Sequence, residues 1–97
     1  TISKTRSSAI RHSAKITRTD ALVRSSSQWI QASKVEKDYV TALVHASTAS
    51  ALLSAARAQM GDEEIELFYP KLAELIDRVE KQLESCVLKI RRKLVEK

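Results

Sequence analysis

Apolar and small side chains recur through the middle of the chain at Ala32, Val35, Tyr39, Ala42, Ala46, Ala49, Leu53, Ala56 and Met60, alternately three and four residues apart. That alternation is the rhythm of a helix with one buried stripe. Five of the nine side chains are Ala, so the pattern predicts close approach of neighbouring helices. Val40, Leu43, Val44 and Leu52 widen the apolar surface beyond what one neighbour covers, and these four are the predicted partner-binding positions. A second seam runs through Leu72, Ile76, Val79, Leu83, Cys86 and Ile90, supported by potential i,i+4 ion pairs from Glu74 to Arg78 and from Asp77 to Lys81. Near the N-terminus the apolar stripe is thinner: Ile2, Ala9, Ile16 and Val23 recur every seventh residue.

Boundaries follow from the residues between these stripes. Gly61 stands where a C′ glycine ends a helix, and Asp62, Glu63 and Glu64 stand where acids favour the next helix N-terminus. The run Ser25-Ser26-Ser27 reads as a break whose serines cap the helix containing Trp29. Pro70 either starts a helix or kinks one. The expectation is an all-α single domain over residues 1–97, an elongated three-helix bundle with helices at 3–24, 27–60 and 63–95. The last two form an antiparallel hairpin about Gly61-Asp62, each spanning roughly 45 to 50 Å at 1.5 Å per residue. Residues 1–25 read as a basic amphipathic helix or arm.

Composition supports helices. One Gly and one Pro in 97 residues leave few turns for a sheet. The longest apolar runs are too short for a bilayer span or a signal-peptide core, so no transmembrane segment is predicted and the expected location is intracellular, in the cytoplasm. The start at Thr1 reads as a processed end or a piece of a longer chain.

Charge is uneven. Residues 1–34 carry seven Lys and Arg against one acid, whereas residues 35–97 carry ten basic and eleven acidic side chains, together the net +5 of the chain. Lys4, Arg11, Lys15 and Arg18 share one face of the N-terminal segment, flanked by Arg6 and Arg24. These six form a predicted anion-binding face able to release counterions from nucleic acid or to attract anionic lipid. The segment lacks aromatic residues for stacking on bases. A smaller basic cluster, Lys89, Arg91, Arg92 and Lys93, lies near the C-terminus, and the acids Asp62, Glu63, Glu64 and Glu66 lie between the two.

Catalytic and metal signatures are sparse. The segment His45-Ala46-Ser47-Thr48-Ala49-Ser50-Ala51 resembles the histidine phosphotransfer domains of two-component signalling, helical bundles in which an exposed imidazole accepts phosphate. The family's usual Lys three residues after the His and Gly four residues after it are Thr48 and Ala49 here. Neither His12 nor His45 has an acid three or four residues away, and a single cysteine excludes a thiolate zinc cluster. The acids at 62–66 lack the spacing of a calcium loop and suit a helix N-terminus. Cys86 falls on the apolar seam, where a small buried hydrophobe is expected. With one Gly there is neither a phosphate-cradling loop nor a Gly-x-Ser-x-Gly elbow. No cofactor, metal or enzymatic activity is predicted. The leading expectation is a helical interaction module, an adaptor or scaffold that binds a partner helix or a second copy. The second is electrostatic binding through the N-terminal basic face, and the third is phosphotransfer through His45.

Overall fold

The structure is a computed structural model that describes the backbone of residues 2–96 and the side chains of residues 14–96. Among the described residues four helices pack together: α1 (Ile2–Val35), α2 (Tyr39–Gln59), α3 (Asp62–Phe68) and α4 (Pro70–Glu96). The long helices lie side by side in a rod measuring 65 × 20 × 16 Å. Helix α2 runs antiparallel to α1, because Ser33 sits against Ala42, Ser26 against Ala49 and Arg18 against Gln59. Helix α4 runs parallel to α1, with Ile16 beside Tyr69 and Leu72 at one end and Ser33 beside Cys86 further on.

The expected helix over 27–60 is two helices. The chain turns at residues 36–38, where Asp38 caps α2: its Oδ2 accepts from the Thr41 amide at 3.1 Å and from the Thr41 hydroxyl at 2.6 Å. An N-cap carboxylate satisfies an amide that the first turn leaves without a partner. The Ser25-Ser26-Ser27 run, by contrast, lies inside α1. Serine disfavours a helix interior because its hydroxyl competes for backbone groups. Here the Ser26 hydroxyl is fully buried and donates to the carbonyl of Ala49 on α2 at 2.8 Å, while Ser33 donates to that of Ala42 at 2.6 Å. The inward stripe of α1 is therefore Thr19, Val23, Ser26, Ile30 and Ser33, three of the five hydroxyl-bearing. Thr19 satisfies its own hydroxyl on the Lys15 carbonyl at 2.8 Å.

Small residues meet small residues across this seam. Ala42, Ala46, Ala49, Leu53, Ala56 and Met60 are all buried, as the heptad rhythm requires, and the Ser-to-carbonyl bonds need the backbones close. The seam does not continue upstream as one helix face: Val35, at the end of α1, is 78% exposed. Helix α4 supplies larger side chains, burying Ile76, Val79, Cys86 and Ile90 against both partners.

The turn at Gly61 lies where expected, but its chemistry differs. Gly61 is the N-cap of α3 at φ −61°, ψ 147°, which any residue can adopt, and a Cβ there would meet nothing within 4 Å. Met60 ends α2 in extended conformation, so no left-handed cap forms. The expected helix 63–95 divides at Tyr69, and Pro70 starts α4, where its missing N–H costs nothing. Arg57 ties the turn together: its Nε donates to Glu80 Oε1 at 2.7 Å and its Nη1 to Asp62 Oδ1 at 2.6 Å. The hydrogen bond to Glu80 raises the Arg57 pKa above its ordinary value; burial opposes it, and the charge of Glu80 with the hydrogen bond and charge of Asp62 add to the rise.

Candidate docking groove

Where α1 ends, α4 continues, and an open groove of about 730 Å³ runs between them beside the start of α2. Its floor consists of Ser33, Ala42, Cys86 and Ile90, all buried, with Tyr39 half-buried beside them. The groove exists because residues along it are small: Ser33, Ala42 and Cys86 on the floor and Ser85 on the wall leave the gap that larger floor side chains would close. A polar thread crosses the floor and joins three helices. The Cys86 thiol on α4 meets the Ser33 hydroxyl on α1 at 3.5 Å, and that hydroxyl donates to the Ala42 carbonyl on α2. The expected burial of Cys86 is thus observed, with a polar contact in addition.

The rim is cationic. Lys34 lines one side, and Arg78, Lys81, Lys89 and Lys93 line the other, with Glu36 as the one acid among the lining residues. Asp77 pairs with Lys81 at 3.1 Å and Glu96 with Lys93 at 3.9 Å. Among the described residues no carboxylate pairs with Lys34, Arg78 or Lys89, so the expected Glu74–Arg78 pair does not form. From Arg78 to Lys93 the rim extends about 22 Å at 1.5 Å per residue, roughly four helical turns.

The predicted partner-binding residues fall on different surfaces. Val40 and Val44 are 60% and 58% exposed on the outer side of α2. Leu43 is half-buried near Leu83 and Val87 of α4. Leu52, seven residues after His45, shares the flank of α2 that faces α1. They do not form one patch. Of the predicted anion-binding face, Lys15 and Arg18 are exposed, Arg18 Nε donates to Gln59 Oε1 at 3.3 Å, and Arg24 pairs with Asp20 at 2.7 Å. Lys4, Arg6 and Arg11 lie outside the residues whose side chains are described.

His45 is half-buried on the α1 side of α2, its ring centroid 5.2 Å from that of Trp29 with the planes tilted by 55°. Its Nδ1 is buried without a hydrogen-bond partner among the described residues. Thr48, at the position of the phosphotransfer family's Lys, donates its hydroxyl to the Val44 carbonyl at 3.1 Å. Among the described residues no three His, Cys, Asp or Glu side chains group as a metal site. Helix α2 is long and apolar enough to cross a membrane by length and composition alone; a core helix has the same character, and Ala42, Ala46, Ala49, Leu53 and Ala56 are buried against its neighbours.

No family model, curated protein or solved structure matches this chain. Sequence reasoning missed the groove because its two sides are far apart in the chain. The C-terminal cluster of Lys89 and Lys93 was its one visible signal.

Proposed function

We propose that this chain is a non-enzymatic helix-docking module, and that the groove between α1 and α4 holds a partner helix with an apolar stripe and acidic flanks. The observation that carries this reading is the pairing of an apolar floor with a rim of five cations spread over about four helical turns. A helix laid along the groove would press apolar side chains onto Tyr39, Ala42 and Ile90, and its flanking carboxylates would reach Lys34 and Lys89. This is the helix-in-groove mode, in which apolar anchors supply affinity and charge supplies orientation and on-rate.

The test is a titration with a designed Leu-Ala-Glu peptide, Leu at heptad a and d positions and Glu on both flanks. Binding is expected to be saturable and to weaken with salt, because the rim charges are exposed and screened. A matched peptide with Lys in place of Glu should bind at least about tenfold more weakly, one tenfold step being about 1.4 kcal/mol. Equal binding of both peptides, or of neither, would overturn the reading.

A further inference from the structure

A second stretch of the rod, beside the start of α4, carries a surface complementary to the groove. Helix α3 exposes Leu67 and Phe68, 74% and 63% accessible, beside the exposed acids Glu63 and Glu66. Glu63, Glu66 and Leu67 stand three and four residues apart, so acid and apolar side chains share one face of this short helix. Large apolar side chains left this exposed beside one another mark a contact surface more often than solitary exposed residues do. Glu63 and Glu66 engage no cation among the described residues.

This segment has the chemistry that the groove selects, but it cannot reach the groove of its own chain. Tyr69 and Pro70 tether α3 to the start of α4, and the groove floor at Cys86 lies about 24 Å further along that helix at 1.5 Å per residue. We infer that the groove accepts α3 of a second copy of this chain, Leu67 and Phe68 entering between Lys34 and Lys89 while Glu63 and Glu66 meet the rim cations. The inference rests on the groove being a helix-docking site and names its occupant.

The contact pairs two different surfaces of the rod, and its proposed form is heterologous, each copy giving its α3 tip to one neighbour and receiving the tip of another. Each copy that donates its tip keeps its groove open, so association proceeds head to tail and does not stop at a dimer. Seven helical residues cover less surface than a stable interface needs, so the association is weak and concentration-dependent.

Sedimentation velocity over a concentration series tests this with two surface variants. The tip variant carries Leu67→Ser and Phe68→Ser; the groove variant carries Lys34→Glu and Lys89→Glu. All four positions are exposed, and circular dichroism checks that both variants remain helical. The wild-type mean mass is expected to rise past the dimer with concentration and to fall with salt. Each variant alone should associate at least about tenfold more weakly, as expected when an interface loses its anchors. Mixing the two variants should restore a dimer and nothing larger, because only one tip and one groove remain functional. A wild type that stays monomeric, variants that associate like the wild type, or a mixture that stays monomeric while the wild type associates would each overturn the inference. Saturable binding of the acidic designed peptide by a chain that stays monomeric would overturn only the second-copy occupant. Failure of the peptide as well would remove the docking groove itself.

Discussion

Helix α1 meets its two long neighbours in different ways. Against α2 the seam is closed: Ser26 and Ser33 bond directly to the carbonyls of Ala49 and Ala42, and the facing alanines are 0 to 1% exposed. Against α4 the seam is filled by Val23, Ile30, Ile76 and Val79 along its length, then opens where the contributing residues shrink to Ser33, Ser85 and Cys86. Small side chains produce both results. On two helices joined by a short turn they draw the backbones together; on helices held apart by larger residues elsewhere they leave a groove.

The same substitution placed in each seam gives the largest expected contrast. Ala49→Leu forces a branched side chain into a fully buried position and should cost about 1–3 kcal/mol in chemical denaturation. Ser85→Leu puts the same side chain into open space on the groove wall, where surface-like changes stay within about 0.5 kcal/mol, while lowering affinity for the acidic peptide. Equal losses in the two variants would remove the distinction between a closed and an open seam. A smaller effect isolates the hydroxyl bond itself: Ser26→Ala should cost about 0.5–1.5 kcal/mol, the net value of such a bond, by the same denaturation measurement. Asp38→Ala, removing the cap that fixes the α1–α2 turn, should cost about 1 kcal/mol.

The turn at Gly61 supplies the smallest change. Its backbone conformation suits any residue and its surroundings are open, so in Gly61→Ala the gain of about 0.4–1 kcal/mol from restricting the unfolded chain is offset by alanine's poorer fit to an N-cap, and the net change should stay within about 0.5 kcal/mol. A large loss in thermal unfolding would show that glycine is required there.

Much of the helical pattern was legible because its period does not depend on partners. The α2 stripe from Ala42 to Met60 is buried at the positions the heptad spacing assigns, and so are Ile76, Val79, Cys86 and Ile90 on α4, with Leu72 and Leu83 of that stripe half-buried. The break was placed wrongly because propensity and burial compete. Ser25-Ser26-Ser27 looks like a terminator in isolation, yet Ser26 gains a carbonyl partner 23 residues away, which no local rule detects. The true turn at 36–38 contains neither Gly nor Pro, and its signal was the Asp38 cap three residues before Thr41. The groove was the least legible feature. Its floor combines Ser33, Ala42 and Cys86 from three helices, and its rim joins Lys34 to Lys89 across 55 positions of sequence.

The most direct test of the docking groove is an NMR titration of the labelled chain with the acidic Leu-Ala-Glu peptide, following backbone amides. The account predicts saturable shifts confined to residues 33–42 and 78–93, with residues on the outer side of α2, such as Val44 and Ala51, unmoved. Shifts centred on Val44 and Ala51, with the groove amides silent, would contradict it.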